Sequence, residues 1–283
     1  RMALTRGGEE ASDEWRSVIT TLGLSHAYEE AHEHYAGAHV CDFVLRARNN
    51  PESVLAMYER ARTNARRCRT SITAEVWEAV NEGWMTLRDL FARQVREGNL
   101  GDALAAVRRE STIARGATYG SMLRNEIYSF ARAGTFIERA DNTARIIDVK
   151  YYVLLPSISW VGSTLDNYQW ESILRSVSAH RSYRWNYDAA YKPSNIADYL
   201  ILRPDMPRSL LFSYSWINRT LDMLEGIYGG RGRGHAAAAE VNAMLDGNSM
   251  DRIFAYGLHE FLTEFIARNN QVTDALAESY NFY

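Results

Sequence analysis

The chain has 283 residues, of which 46% are apolar and 24% charged, with seven Trp and seventeen Tyr. That length and composition predict a globular chain with a sizeable buried core and exclude disorder over most of its length. A formal charge of −3 leaves no basic excess to neutralise a run of phosphates, so nucleic acid is excluded as the main partner.

Cys41 and Cys68 are the two cysteines, and neither stands in a CxxC or a Cys/His spacing. A disulfide framework or a thiolate zinc site is therefore not expected. No stretch approaches the roughly 18 apolar residues of a membrane span, and the start lacks the basic-then-apolar pattern of a signal peptide. The expectation is a cytoplasmic protein without a membrane partner. Arg1 precedes Met2 inside what reads as a structured segment, which suggests a truncated or processed start.

In chain order, helices are expected at about 12–22, 25–36, 38–47, 51–69, 73–97, 101–115, 122–153, 166–180, 193–202, 207–228, 235–246 and 249–280. Pro51, Pro193 and Pro207 stand where helices should begin, since a missing N–H costs nothing in a first turn. Ser12, and Ser71 or Thr73 ahead of Glu75, read as N-caps. Gly98, Gly226, Gly229 and Gly230 read as stops. Nothing alternates with period two, so the fold class is all-α: one multi-helix bundle of about ten to twelve helices, without a sheet, treated as a single domain over 1–283.

The segment 122–153 carries the clearest pattern, with Phe130, Ala133, Ile137, Ala140, Ala144, Ile147 and Tyr151 recurring at alternate spacings of three and four. That is the seam of a bundle helix, and its alanines allow a neighbour to approach closely. The last helix, with Ile253, Leu258, Phe261, Leu262, Phe265 and Ile266, is the expected partner. Residues 229–234 read Gly-Gly-Arg-Gly-Arg-Gly, a flexible linker that does not match GxxxxGK[ST].

Charged side chains flank the seam. With Ile137 as zero and about 100° per residue, Asp141 falls near about 40°, Arg145 near about 80° and Glu138 near about 100°. Arg139 faces away, toward another helix or solvent. The plain reading of Asp141 and Arg145 is an exposed i, i+4 ion pair worth a few tenths of a kcal/mol. The sharper one is a partly buried network that fixes packing or binds a polar ligand. Glu59-Arg60-Ala61 with Ala65-Arg66 repeats Glu138-Arg139-Ala140 with Ala144-Arg145 at five of eight positions, by duplication or by the ordinary frequency of helix formers.

An aromatic stretch, 154–192, mixes Trp160, Tyr168, Trp170, Tyr183, Trp185, Tyr187 and Tyr191 with Asp166, Glu171, Arg175, His180, Arg181 and Arg184. It suits either a cleft that clamps a polar or peptidic ligand or a packing layer in which tyrosines and arginines bridge core and water. Arg145, Arg184 and Arg208 have the planar fork that grips a carboxylate or phosphate. His180 can move a proton near neutral pH. No nucleophile with an adjacent base identifies itself. Glu29-x-x-His32 is half of a carboxylate-bridged metal motif without a second copy, so a solvated helix face is expected there and no metal site.

Phe136 to Val149, Asn64-Ala65-Arg66 with Ser71-Ile72 and Glu75-Val76-Trp77-Glu78, and Leu165 to Glu171 together resemble the alpha-E domain, a bacterial all-helical family named for its Glu-Arg motif. The resemblance continues through Ser178-Ala179-His180-Arg181 and Pro207-Arg208-Ser209-Leu210, nearly the whole chain. It implies a helix before Arg1 with its own Glu-Arg pair, which this sequence lacks. It carries no settled activity. Family genes often lie beside, or fused to, genes for circularly permuted ATP-grasp proteins, which implies an accessory role beside an ATP-grasp-type ligase acting on a peptide or amino acid. No cofactor is evident, and ATP is expected only through that partner. The alternative is a stand-alone enzyme or small-molecule-binding protein, with Glu138, Asp141 or His180 as catalytic groups and Arg139, Arg145, Asp166, Trp170, Arg184 and Arg208 around a ligand.

Overall fold

The computed structural model describes residues 9–152, 164–187 and 191–282. Fourteen helices and no strand occur among the described residues, a little above the ten to twelve expected. They are α1 Glu9–Thr21, α2 Ser25–Glu29, α3 Gly37–Leu45, α4 Val54–Arg67, α5 Ala74–Leu90, α6 Glu97–Ser121 and α7 Glu126–Tyr152. After these come α8 Thr164–Ser176, α9 His180–Asn186, α10 Pro193–Ile201, α11 Leu210–Tyr228, α12 Arg233–Asp246, α13 Met250–Tyr256 and α14 Leu258–Tyr280.

The two further helices arise from backbone reversals. Gly257 at φ 113° divides the expected 249–280 helix into α13 and α14. Ser178, at φ 58°, ends α8 in the left-handed region, while the Ala179 N–H reaches back to the Leu174 carbonyl at 2.7 Å, the bond of a Schellman ending. Other boundaries moved as well. Gly98 lies in the first turn of α6, and the break before it falls at Phe91 to Val95, where two apolar side chains turn into the core. Gly226 lies inside α11, and Gly229, at φ 78°, closes that helix. The expected 229–234 linker is shorter: α12 begins at Arg233, and Gly234 is buried within it.

Serine and threonine caps start several helices. Ser53, Thr73, Ser209 and Ser249 each accept from the backbone N–H three residues on, at 3.3, 3.3, 3.0 and 3.4 Å. Pro193 is a first-turn proline, whereas Pro51 and Pro207 each stand two residues before a serine cap.

The described residues form two compact units, one through Tyr128 and one from Ser129 onward. In the first, α3, α5 and α6 enclose Cys41, Leu45, Leu87, Phe91, Val95 and Ala103. Tyr28, Ile19, Val40 and Phe43 make a second small core. In the other unit one large core runs from Phe136 to Leu276. Ala140, Ala144 and Ile147 are fully buried on α7, so the expected seam is present, with Phe136 also on it. Asn269 of α14 donates to the Ile137 carbonyl at 3.4 Å, so the expected partner, α14, is one neighbour of α7. The side chain of Tyr151 lies outside the described residues.

Alpha-12 is built for close approach. A Cβ on Gly234 would stand 2.5 Å from Leu276 Cδ2 of α14. Buried His235 accepts at Nδ1 from the Gly232 N–H at 3.1 Å, so its proton sits on Nε2, which donates to the Leu221 carbonyl of α11 at 3.0 Å. No helix among the described residues is long and apolar enough to cross a membrane.

Candidate functional site

On α7 the Glu-Arg pair splits between two tasks. Arg139 donates from Nη1 to the Pro207 carbonyl at 3.1 Å, two residues before the Ser209 cap of α11, and its guanidinium lies over Phe136 at 5.0 Å. It serves another helix, as its direction predicts. Glu138 is exposed and accepts from Asn142 Nδ2 at 2.8 Å on its own helix. The earlier copy follows the same plan: Arg60 donates to the Pro51 carbonyl at 2.6 Å, two residues before the Ser53 cap of α4.

One turn on, Arg145 Nε donates to Asp141 Oδ2 at 2.6 Å, with both side chains mostly buried. The other carboxylate oxygen of Asp141 is buried without a hydrogen-bond partner. Nearby, Tyr214 of α11 donates to Asn269 Oδ1 at 2.8 Å. Burial first, and the Asp141 charge second, push the Tyr214 hydroxyl well above its ordinary range, so it stays protonated and remains a donor. The Asp141–Arg145 pair is thus partly buried, as the sharper reading has it, whereas Glu138 stands outside it at the surface.

The second cluster lies at the junction of α8, α9 and α10. His180, the first residue of α9, shares a hydrogen bond between Nε2 and Tyr191 Oη at 2.8 Å. The same nitrogen is 3.5 Å from Glu171 Oε1, which also takes Arg175 Nε at 2.8 Å. Burial, and then the Arg175 charge, lower the His180 pKa, with Glu171 acting the other way and Arg184 and Arg181 adding to the lowering. Tyr183 is buried and stacks on Tyr187 at 4.8 Å, while Tyr187 donates to Asp198 Oδ2 at 2.8 Å. Around this packed layer Arg181, Arg184 and Trp185 are exposed.

The structure places the sequence-predicted residues in two bonded clusters, one on α7 and one at His180. No hydrogen bond or ion pair among the described residues joins Glu138, Asp141 or Arg145 to His180 or Arg184. Trp170, expected against a ligand, is 1% exposed in the core, because Ile173 and Leu174 place its face of α8 inward. Arg208 is half-buried at the start of α11. The side chain of Asp166, like Trp160, lies outside the described residues. Glu29 and His32 do not share a helix, since α2 ends at Glu29, whose carboxylate accepts from Tyr35 at 2.7 Å.

Sequence reasoning passed over one pair. His259, in the first turn of α14, meets Asp148 of α7 between Nδ1 and Oδ1 at 2.6 Å. No spacing signal links residues 111 apart in the chain. Among the described residues no three His, Cys, Asp or Glu side chains stand together as a metal site.

A family model described as a predicted alpha-helical domain with a conserved ER motif matches residues 1–280. No curated protein and no solved structure matches the chain.

Proposed function

Because the chain belongs to the Alpha-E family, whose model spans residues 1–280 and thus both compact units, we propose that it is an accessory protein of an ATP-grasp-type ligase. The reading is that it supplies a docking surface, or part of a substrate site, for peptide or amide-bond chemistry carried out by that partner in the cytoplasm. ATP would be bound by the ligase. The observation that supports an accessory rather than catalytic role is the use made of the Glu-Arg pair: Arg139 grips the Pro207 carbonyl and so serves the scaffold. The link to a ligase rests on family resemblance.

Analytical ultracentrifugation of the purified protein with an ATP-grasp ligase encoded beside it tests the proposal. A stable co-sedimenting species is expected; two independently sedimenting components would sink it.

One observation favours a second reading, a stand-alone protein that binds a small anionic ligand. Glu171, His180 and Tyr191 form a chain of ionisable groups edged by the exposed Arg181 and Arg184. Carboxylate-bearing metabolites that perturb the His180 ring resonances in the protein alone would favour it. Unchanged resonances at saturating metabolite would remove it.

A further inference from the structure

The clearest unassigned feature lies on α4 and α5. Between Glu59 and Thr70 stand five arginines, Arg60, Arg62, Arg66, Arg67 and Arg69, against the single acid Glu59, in a chain of net charge −3. Two of them occupy the last turn of α4, where they complement the helix dipole. Arg62 and Arg69 lie against aromatic rings.

The guanidinium of Arg62 lies 4.4 Å from the Trp84 ring and 6.0 Å from the Trp77 ring, and its Nε donates to Asn81 Oδ1 at 2.7 Å. Arg69 extends the row at Trp77, 5.2 Å away, and Arg88 extends it at Trp84, 4.9 Å away. The result is a ladder in the order Arg69, Trp77, Arg62, Trp84, Arg88. A guanidinium against an aromatic ring keeps its N–H edge available and has lost much of its rotamer freedom before any ligand arrives.

Part of this arginine group is not held in ion pairs. Arg60 is paired with Glu52 and Arg88 with Asp89, but Arg66, Arg67 and Arg69 are exposed and form no ion pair among the described residues. The exposed glutamates of α5, Glu75, Glu78 and Glu82, make no ion pair with them either.

We infer that the last turn of α4, together with the Arg–Trp ladder beside it, is a docking surface for an acidic polypeptide segment, whose Asp and Glu carboxylates are taken by Arg69 of the ladder and by Arg66 and Arg67 of that turn. Charge complementarity selects an anionic occupant, and the forks suit planar carboxylates. Single-stranded nucleic acid fits less well, because it binds by stacking bases on aromatic faces, and both indoles here are already flanked by two guanidiniums each. The inference is independent of the ligase reading, since an acidic segment can belong to any partner.

The test titrates the whole protein with an oligoglutamate peptide at low and high salt, followed by Trp fluorescence and calorimetry. Wild type is expected to bind with an affinity that falls as salt rises. The Arg66→Gln, Arg67→Gln, Arg69→Gln variant should bind about tenfold or more weakly. A matched variant at other exposed arginines of the same unit, Arg93→Gln, Arg108→Gln, Arg115→Gln, should bind as wild type does. Circular dichroism checks folding; if the triple variant is unfolded, the single substitutions Arg66→Gln and Arg69→Gln replace it, each with a partial loss. The inference is overturned if wild type does not bind, if both triple variants weaken equally, or if an oligothymidine strand displaces the peptide at lower concentration.

Discussion

Arg139 and Pro207 are joined by a hydrogen bond across 68 residues of sequence, from a guanidinium on α7 to the carbonyl two residues before the cap of α11. Arg60 and Pro51 repeat the arrangement at the start of α4. In each case a charged donor fixes the backbone just ahead of a capped helix start, so the Glu-Arg motif does its structural work through the arginine. Arg139→Ala should therefore cost about 1.5–3 kcal/mol, the range for hydrogen bonds from charged groups. Glu138→Gln, exposed and bonded within its own helix, should stay within about 0.5 kcal/mol. Urea unfolding of both variants checks this, and equal losses would refute the division of roles.

Tyr214 and Asn269 make a buried link between α11 and α14, and Asn269 continues to α7. Tyr214→Phe keeps the ring but leaves the Asn269 oxygen, in a residue 1% exposed, without its donor. The expected loss is about 1–3 kcal/mol. A cost below the error of a denaturant titration would mean that water or a rotated amide replaces the bond.

The α7 seam was legible because Ala140, Ala144 and Ile147 recur with the helical period, and burial follows period directly. The partly buried Asp141 was legible for the same reason. Trp170 was misjudged from its residue type, although Ile173 and Leu174 on the same face already pointed to the core. Ser178 gave no warning of its left-handed backbone, since serine has no particular need of that region. The pair of Asp148 and His259 could not be read at all, because pairing between distant helices is decided by packing and leaves no local pattern.

Glycines test the packing of α11, α12 and α14. Gly226→Ala on α11 would place its Cβ in open space, and the lost backbone freedom of the unfolded chain should stabilise the protein by about 0.4–1 kcal/mol. At Gly234 the new Cβ would meet Leu276, so Gly234→Ala should destabilise by about 1–3 kcal/mol. The pair is informative by sign: thermal melting should move up for the first and down for the second, and a rise in both would show that α12 and α14 can separate at no cost.

In the unit through Tyr128, burial and then the nearby Glu110 charge push the Tyr58 hydroxyl up to about 12, and burial and then Tyr35 push Tyr28 up to about 12. Each phenol is ionised more easily in the unfolded chain, near about pH 10. Between those values the native state holds more protons than the unfolded one, so stability is fully present below about pH 10 and falls as pH rises toward about 12. Tyr58→Phe should make that alkaline fall shallower. Absorbance of ionised tyrosine, followed together with circular dichroism, decides it; full ionisation near pH 10 with native dichroism intact would contradict the burial argument.

At His180 the sign runs the other way. Burial is the largest influence on its imidazole and Arg175 the next, and both favour the neutral ring, while Glu171 alone among the named groups favours the charged one. The folded pKa is therefore below the ordinary value, and the unfolded chain binds the proton first as pH falls. Stability contributed by neutral His180 is fully present above about pH 6.5 and declines below it until the folded pKa is passed. Glu171→Gln removes the opposing charge and should lower the NMR titration midpoint of the ring further, whereas Tyr191→Phe removes the hydroxyl that shares the Nε2 hydrogen bond and should change its tautomer balance. A midpoint in the wild-type protein at or above the ordinary histidine value would mean that the carboxylate dominates, and would make His180 and Glu171 an ion pair at neutral pH rather than a neutral imidazole held between arginines.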